Sequence, residues 1–281
     1  MSRVNNIEIF NDTERTVQEN KTLRDSVEKT IMNQKLYPAD CKMILEKRGG
    51  QEVKIIVSGK RTLEAASAYK GKKVCIMNFA SATNPGGGVE RGANAQEEAL
   101  CRISTLYFCL NTPEMREHFY LPHRKARNPL YNDDIIYSPE VCVIKKDNAK
   151  AEMLAEEDWY KVNVISCAAP NLRKVPSNAM NPGSGDKAAE ISVDDLRKLH
   201  EQRIHRIFEV AAENGNEVLI AGAFGCGAFK NPPEVVAEAF FSVVKELGNR
   251  FETIEFAVAC SKKPSHNFLV FQKVFDKGFT N

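Results

Sequence analysis

The stretch VCIMNFASATNPGGGVERGANAQEE, residues 74–98, joins an apolar run to a glycine-rich loop and then to two adjacent carboxylates. The run at 74–80 is bounded by turn residues, which predicts a buried strand. Three consecutive glycines at 86–88 leave the next loop without side chains, so its backbone N–H groups can approach a ligand closely. Glu97 and Glu98 stand just before a segment with apolar residues at helical spacing. A bare backbone beside two carboxylates indicates a phosphate-bearing ligand and acid–base chemistry on it.

Strand-like and helix-like segments alternate on both sides of this stretch. The pattern predicts strands at 53–58, 74–80, 141–144, 162–167, 217–221 and 253–260. It predicts helices at 62–69, 97–110, 193–214, 234–247 and 266–275, with one or two more between 13 and 36. This alternation favours a three-layer α/β/α sheet that is mostly parallel at its centre. No break in composition divides the chain, so we expect one domain over 1–281, with a helical N-terminal extension at 1–50 and an α/β core at 51–281.

Composition limits the classes of function. The 281 residues carry 39 basic and 37 acidic side chains, a net charge of +2, so bulk charge gives no argument for nucleic acid. No apolar stretch approaches the length of a membrane span, and the first residues lack the apolar core of a signal peptide, which predicts a cytoplasmic protein. The eight cysteines form no Cys-x-x-Cys pair, and the five histidines do not group with them. We therefore expect neither a disulfide framework nor a metal site.

A second glycine-rich element, GAFGCGAFKNP at 222–232, follows a predicted strand and precedes a predicted helix. That position favours an anion, because oriented N–H groups and a helix N-terminus meet there. The element has neither the Gly-Lys-Ser/Thr of a Walker loop nor the Gly-x-Gly-x-x-Gly of a dinucleotide loop. Alone, it is more typical of a tight turn. Together with the first loop, at the carboxyl ends of parallel strands, it predicts a shared ligand crevice.

Three glycines, seven further residues and then Gln-Glu-Glu resemble the signature of the poly(ADP-ribose) glycohydrolases, in particular their compact bacterial-type branch built on a macrodomain. The resemblance runs from the N-terminal helices to the strand at 253–260, which is most of the chain. It implies a macrodomain-like mixed sheet and a hydrolase that cleaves ribose–ribose O-glycosidic bonds of poly(ADP-ribose) to release ADP-ribose, with a preference for the terminal unit. It also implies that Glu98 is the catalytic acid/base and that Glu97 orients ribose hydroxyls.

The same resemblance implies contacts with ADP-ribose. It assigns the distal ribose to the triple glycine and Asn84, the diphosphate to 225–228, and a place near the distal ribose to Phe229. The ligand-binding residues that it implies are Asn84, Gly86, Gly87, Gly88, Gln96, Gly225, Cys226, Gly227, Ala228 and Phe229. We expect no cofactor and no metal. Poly(ADP-ribose) or ADP-ribosylated protein is the expected substrate and ADP-ribose the product, with no membrane and no nucleic acid required.

Other interpretations stay open at this point. One is an ADP-ribose-binding module without turnover, although such a module needs no paired carboxylates. Another is a hydrolase for mono-ADP-ribose on protein or nucleic acid, and a third, weaker one is a nucleotide-sugar or dinucleotide hydrolase, against which the lack of metal-ligand clusters counts. Phe224 and Phe229 are equally typical of core residues that tether a loop. Cys226 is interpreted as a small loop residue, because no histidine lies near it in the sequence.

Two polar segments are less specific. Residues 116–131 interleave basic and aromatic side chains, which is typical either of a surface for a phosphate-rich polymer or of a solvated loop with a few anchoring aromatics. Residues 170–192 are rich in Asn, Pro, Gly and Ser, and they predict a long surface connection.

Overall fold

One mixed β-sheet carries helices on both of its faces. The computed structural model describes residues 2–43 and 52–279. Within these ranges, seven strands lie in the order β1-β4-β5-β3-β6-β7-β2. The strands are β1 Lys35–Tyr37, β2 Lys54–Ser58, β3 Val74–Phe79, β4 Ile135–Val143, β5 Tyr160–Cys167, β6 Val218–Ala221 and β7 Thr253–Ala257.

The strand directions place the loops that matter for function. Strands β5, β3, β6, β7 and β2 are parallel to one another, whereas at one edge of the sheet β4 pairs antiparallel with β5 and β1 pairs antiparallel with β4. Because the carboxyl ends of neighbouring parallel strands meet at one edge, the loops after β5, β3, β6 and β7 lie side by side. Two of them are the triple-glycine loop (residues 80–95), after β3, and the second glycine loop (residues 222–232), after β6.

The helices form the two outer layers. They are α1 Arg3–Glu19, α2 Lys21–Asn33, α3 Thr62–Ala66, α4 Gln96–Ile103, α5 Leu106–Leu110, α6 Pro113–Met115, α7 Leu121–Ala126, α8 Val193–Glu213, α9 Pro233–Leu247 and α10 His266–Phe279. Alternate residues of β3 enter opposite cores: Cys75 and Met77 pack with α8 and α9, whereas Val74 and Ile76 pack with α1, α3 and α4. Burial on both faces explains the continuous apolar runs of the strands. The predicted three-layer α/β/α class with a parallel centre is confirmed.

The extension predicted at 1–50 is not entirely helical. It contains α1 and α2, but Lys35–Tyr37 forms the edge strand β1, which pairs antiparallel with β4. The extension therefore completes the sheet as well as preceding it. The predicted boundary at 50–51 lies outside the described residues, and the organisation as one domain stays a prediction. None of the described helices is both long and apolar enough to cross a membrane.

The single helix predicted at 97–110 is wrong, because α4 and α5 are separate helices. Between them, Ser104 forms an isolated antiparallel bridge with Val143, and the N–H of Thr105 donates to a carbonyl of β4 at 2.9 Å. This tertiary contact with the end of β4 overrides the helical spacing of the sequence. Cys101 and Cys109 consequently lie on different helices.

Residues 116–131 are helical as far as residue 126, rather than a loop. A π-helical turn at Arg116–Tyr120 leads directly into α7. Phe119, Tyr120 and His123 are buried, whereas most of the basic side chains around them are exposed. The anchoring role of the aromatics is therefore confirmed, and a polymer-binding surface here stays a prediction.

Candidate active site

A cavity of about 620 Å³ opens at the carboxyl edge of the sheet. Its walls come from the loops after β3, β6 and β7 and from the first turn of α4. Ser81 and Gly87 belong to the triple-glycine loop, Gly227 and Phe229 to the second glycine loop, and Val258 to the loop after β7. The two glycine-rich elements thus share one cavity, which is the crevice that their positions in the sequence predict.

Glu98 lies in the first turn of α4 and is held by two backbone donors. Its Oε1 is 2.9 Å from the backbone nitrogen of Gly88, and its Oε2 is 3.1 Å from that of Ala95, the residue that caps the helix. The second bond is the usual one between the third residue of a helix and its cap. Both carboxylate oxygens are therefore fixed at the wall of the cavity, where Glu98 is 6% exposed.

Glu97 is held from the side of the strand. It accepts hydrogen bonds from the backbone N–H of Ser81 at 2.7 Å and from the side-chain amide of Asn78 at 3.3 Å, and it is 3% exposed. Burial, followed by the charge of Glu98, raises the pKa of Glu97 well above its ordinary value, even though these donors lower it. The carboxylate pair consequently resists carrying two negative charges at once.

The two carboxylates meet at Gly87. A β-carbon at this position would lie 2.6 Å from Oε1 of Glu98 and 3.1 Å from Oε2 of Glu97. The backbone φ of Gly87 is +58°, in the left-handed region that favours glycine. Gly87 is therefore required both for the turn and for the close approach of both acids to the backbone.

Gln96 ties α4 to the end of β3. Its Nε2 donates to the carbonyl of Met77 at 2.7 Å and to Oγ1 of Thr62 at 3.1 Å. Its Oε1 accepts from the backbone N–H of Phe79 at 2.9 Å. Both N–H groups of the amide are thus used within the protein. Although Gln96 lines the cavity, this geometry indicates a loop-fixing amide that holds the neighbouring glutamates in place.

The second glycine loop supplies free backbone donors. Within residues 2–43 and 52–279, the N–H groups of Gly227, Ala228 and Phe229 have no acceptor, and all three residues line the cavity. Consecutive free N–H groups of this kind form an anion-binding concavity. Helix α9 begins only at Pro233, which has no N–H. The donors therefore come from the loop itself and not from the helix N-terminus that the sequence suggested.

The side chains of the second glycine loop have different surroundings. Burial raises the pKa of the Cys226 thiol to about 12, so the thiol is not ionised at neutral pH, which agrees with a small loop residue. Phe224 is fully buried, with its ring 5.6 Å from that of Phe79, and it tethers the loop to the core. Phe229 lines the cavity, and its ring lies 6.1 Å from that of Tyr131.

Four of the predicted ligand-binding residues do not line the cavity: Asn84, Gly86, Gly88 and Cys226. Asn84 is engaged inside its own loop, because its amide donates to the carbonyl of Gly87 and accepts from Arg124 at 3.2 Å. The other six do line the cavity: Gly87, Gln96, Gly225, Gly227, Ala228 and Phe229. Of the three consecutive glycines, only the middle one borders the cavity.

The segment at 170–192, predicted as a surface connection, contributes to the site. Asn181 lines the cavity and accepts a hydrogen bond from the hydroxyl of Ser81 at 2.7 Å. The sulfur of Met180 packs over the triple glycine, 2.4 Å from where a β-carbon of Gly88 would lie. These contacts join residues that are far apart in the sequence, so no local pattern indicates them. The surface interpretation of this part of the segment is wrong.

Helix α1 supports the triple-glycine loop, a role that the sequence did not reveal. Asn6 is 1% exposed and donates its amide to the carbonyl of Gly92 at 3.1 Å. Gly92 has a φ of +69°, and a β-carbon there would lie 2.3 Å from the carbonyl oxygen of Arg3. Thr13 lies about two turns further along the same face of α1 and donates to the carbonyl of Arg102 in α4. Helix α1 thus holds both the loop and the helix that carries the two glutamates.

Two further charged residues that the sequence did not single out line the cavity. Arg61 and Asp147 face each other with 3.7 Å between nitrogen and oxygen. Asp147 also accepts from the backbone N–H of Leu63 at 2.9 Å, and burial raises its pKa. In the described part of the chain, no group of three or more His, Cys, Asp or Glu is placed to hold a metal ion.

Sequence comparison identifies one family. Residues 5–146 match the family described as microbial-type PARG, catalytic domain. The matched range includes the triple-glycine loop and both glutamates. In a comparison with curated proteins, none matched significantly.

Solved structures of bacterial poly(ADP-ribose) glycohydrolases are similar to this chain over most of its length. One from Thermomonospora curvata has 28% sequence identity and a TM-score of 0.81, over 96% of this chain and 99% of that one. The same enzyme bound to the inhibitor ADP-HPD matches with 28% identity and a TM-score of 0.78, over 95% and 98% of the two chains. A third, from Deinococcus radiodurans in complex with ADP-ribose, matches with 28% identity and a TM-score of 0.73, over 89% and 97%.

Proposed function

The chain belongs to the family of microbial-type PARG catalytic domains, and on that premise we propose that it hydrolyses poly(ADP-ribose) to ADP-ribose with Glu98 as the acid/base. One observation carries the proposal. A pair of buried carboxylates and a row of free backbone N–H groups open into the same cavity. ADP-ribose offers the matching groups, because its diphosphate needs N–H donors and its distal ribose carries the bond to be cleaved.

The free donors support one direction for the ligand. We assign the diphosphate to the N–H groups of Gly227, Ala228 and Phe229, because its oxygens supply the acceptors that these donors lack within the protein. The distal ribose then extends toward Gly87, the point at which the oxygens of Glu97 and Glu98 meet. The relative from Deinococcus radiodurans has been solved in complex with ADP-ribose, which supports a ligand of this class. Gly225 and Gln96 shape the wall without contributing charge.

The bond-breaking step needs a proton at the leaving oxygen. Glu98 in its protonated form donates to the oxygen of the scissile ribose–ribose bond as positive charge develops on the anomeric carbon of the distal ribose. The departing ribose leaves with a hydroxyl group. Ionised Glu98 then takes a proton from a water molecule, whose oxygen attacks that carbon and completes ADP-ribose. The acid is restored to its starting state, so no other reactant is consumed.

Glu97 is assigned to the ribose hydroxyls. Its position between Ser81 and Asn78 suits a carboxyl group that accepts or shares hydrogen bonds with ribose hydroxyls. Because burial, followed by the charge of Glu98, raises the pKa of Glu97, the Glu97 carboxyl stays protonated to a higher pH than an isolated carboxyl does.

The substrate range follows from what the cavity recognises. Every conjugate of ADP-ribose presents the same diphosphate and distal ribose, so ADP-ribosylated protein is a second candidate substrate beside the polymer. The neutral thiol of Cys226 has no place in this mechanism, and neither a membrane nor a nucleic acid is needed. The cytoplasmic location stays a prediction.

Product analysis tests the proposal directly. Purified protein is incubated with poly(ADP-ribose) and, separately, with mono-ADP-ribosylated protein, and the soluble products are resolved by chromatography. We expect free ADP-ribose from the polymer, and roughly 10²–10⁴-fold slower release from the same protein carrying Glu98→Gln. Release from the mono-ADP-ribosylated protein alone would replace the proposal with a mono-ADP-ribosyl hydrolase. Binding of ADP-ribose with release from neither substrate would replace it with a binding module.

A further inference from the structure

His200 lies fully buried on α8, beneath the second glycine loop. Its Nε2 is 2.9 Å from Oδ1 of Asn231, the residue at which this loop turns toward α9. Its Nδ1 is also buried and has no hydrogen-bond partner among the described residues. The ring stands edge-on to Phe224, with 6.1 Å between centroids. His200 is thus in contact with the loop at two points, without reaching the cavity itself.

Every donor and acceptor group of the Asn231 side-chain amide has a hydrogen-bond partner. Its Nδ2 donates to the carbonyl of Pro170 at 2.7 Å and to that of Gly225 at 3.1 Å, and its backbone N–H donates to Gly225 as well, at 3.1 Å. With both amide N–H groups committed, Oδ1 can only accept, so His200 must carry its proton on Nε2 and donate it. A flipped amide would set its oxygen against two carbonyl oxygens and its NH₂ group against the imidazole N–H.

We propose that His200 is a positioning residue for ADP-ribose binding: it fixes the amide of Asn231, which holds the second glycine loop so that Gly227, Ala228 and Phe229 present their N–H groups to the diphosphate. The assignment of the diphosphate to these groups rests on the proposed function. The bracing of the loop by His200 rests on the hydrogen bonds alone. Outer contacts of this kind orient the groups that touch a ligand without touching it themselves.

Helix α8, which carries His200, is itself fixed to a second loop of the site. Arg203 lies one turn further along α8 and is also fully buried. It donates to the carbonyl of Ala168 at 2.8 Å and to Asp133 at 2.7 Å, so α8 also holds the loop after β5. That loop touches the second glycine loop, because a β-carbon at Gly225 would lie 2.5 Å from the β-carbon of Ala169. One helix face therefore sets the relative positions of two loops that line the cavity.

Two variants of His200 distinguish the effect of its N–H donor from the effect of its side-chain volume. His200→Leu removes the donor to Asn231, whereas His200→Gln keeps an N–H group that can reach toward the same oxygen. His205→Gln is the matched control, since His205 lies on the same helix but is partly exposed and contacts the carboxylates of Glu209 and Glu246. For each variant, hydrogen exchange of the loop amides is measured without ligand, ADP-ribose affinity is measured by calorimetry, and kcat and KM are measured on the polymer.

We expect His200→Leu to accelerate exchange within residues 222–231 and to weaken ADP-ribose binding by about ten-fold or more, the scale of one lost buried hydrogen bond. KM should rise with it while kcat changes much less, because Glu97 and Glu98 are not displaced. His200→Gln should recover most of the affinity, and His205→Gln should match the unmodified protein. A purely structural role would lower the melting temperature without this split between KM and kcat.

Unchanged exchange and unchanged ADP-ribose affinity in folded His200→Leu would overturn the proposal. Should His200→Leu not fold, Asn231→Asp gives the same test, because a carboxylate still accepts from His200 but cannot donate to Pro170 or Gly225. Wild-type exchange and affinity in Asn231→Asp would overturn the proposal equally. If the unmodified protein binds ADP-ribose but hydrolyses no polymer, while the exchange and affinity differences persist, only the proposed hydrolysis is contradicted.

Discussion

The backbone N–H of Gly88 donates a hydrogen bond of 2.9 Å to Oε1 of Glu98, ten residues later in the chain. The bond closes the triple-glycine loop onto the first turn of α4. Because Ala95 holds the other oxygen of Glu98, the carboxylate cannot rotate without losing one of two donors. The triple-glycine loop and the proposed acid/base therefore form one structural unit.

Glu98→Gln tests the assignment of the acid/base. An amide keeps the size of the carboxyl group and one hydrogen-bond acceptor, but it cannot give or take the proton. We expect polymer turnover to fall by roughly 10²–10⁴-fold, the usual scale of general acid–base catalysis. The affinity for ADP-ribose should change little, because Glu98 acts on the leaving oxygen. Initial rates of ADP-ribose release and calorimetric titration give the two quantities.

Glu117→Gln is the control for this change, since it removes the same charge from an exposed position outside the cavity. It should leave turnover unaltered. Wild-type turnover in Glu98→Gln would transfer the acid/base role to Glu97. Cys226 would be the weaker substitute, because burial raises the pKa of its thiol to about 12 and keeps it neutral.

Glu97→Gln is expected to lose activity and to gain stability. The pKa of Glu97 is raised in the folded protein, so between about 4.5 and the folded pKa the folded state binds more protons than the unfolded state. Stability contributed at this position therefore falls as pH rises through that window. Removing the charge should raise the melting temperature at pH 8, where each kcal/mol of unfolding free energy corresponds to roughly 2–4 °C. Thermal unfolding at pH 5 and pH 8 measures it.

The stabilisation should be greater at pH 8 than at pH 5, and this difference identifies its cause. Asn78 now donates to Glu97, and a flip of its amide would turn its Oδ1, buried without a partner in the described part of the chain, toward the new N–H group. Glu117→Gln again provides the control and should show no pH-dependent gain. An equal gain at both pH values would mean that the charge of Glu97 is not responsible, and a loss at pH 8 would contradict the raised pKa.

Gly227 and Gly225 should respond differently to added side chains. A β-carbon at Gly227 meets nothing within 4 Å, so Gly227→Val should fold with a stability change within about 0.5 kcal/mol. Its side chain would still stand beside the free N–H groups, and we expect ADP-ribose affinity to fall by about ten-fold or more. Calorimetric titration of the folded variant measures this. Full affinity would remove the second glycine loop from the diphosphate site.

Gly225→Ala is the contrasting variant. Its φ is +73°, and a β-carbon there would lie 2.5 Å from both the β-carbon of Ala169 and Nδ2 of Asn231. The strain of the left-handed backbone costs about 1–2 kcal/mol before these overlaps are counted. We therefore expect lower thermal stability as well as lower affinity. Stability equal to that of Gly227→Val would contradict the packing described for the loop.

The layers of the fold could be predicted because burial on both faces produces a local pattern. Strand β3 packs into two cores, so Val74 to Phe79 is apolar almost throughout, and it is punctuated by turn residues. The break between α4 and α5 could not be predicted in this way. It depends on pairing between Ser104 and Val143, which the spacing of apolar residues around Ser104 does not encode.

The residues of the candidate site likewise fall into those that the sequence could indicate and those that it could not. The acids, the middle glycine and the second glycine loop follow from short motifs whose chemistry is local. Asn181 and His200 do not, because each acts through a partner that is distant in sequence: Ser81 for the first and Asn231 for the second. Asn84 shows the converse, since a residue with suitable chemistry is engaged by Arg124 and does not line the cavity.

Gly92→Ala tests whether α1 supports the triple-glycine loop. The new β-carbon would overlap the carbonyl oxygen of Arg3, at 2.3 Å, and would push α1 away from the loop that leads to Glu98. We expect loss of the Asn6 contact, a clear fall in melting temperature, and lower kcat at temperatures where the variant is still folded. The fall in kcat has a physical reason, because small misplacements of a catalytic group carry large losses of rate.

Gly215→Ala is a closely matched control for this last change. Its φ of +70° is almost that of Gly92, so the same backbone strain of about 1–2 kcal/mol applies. Its β-carbon would meet only the end of the Lys73 side chain, at 3.6 Å, far from the cavity. It should therefore lose stability through strain alone, less than Gly92→Ala loses, while keeping its kcat. If Gly92→Ala and Gly215→Ala lose stability equally and both keep full kcat, α1 does not position Glu98, and its contact with the triple-glycine loop contributes to folding only.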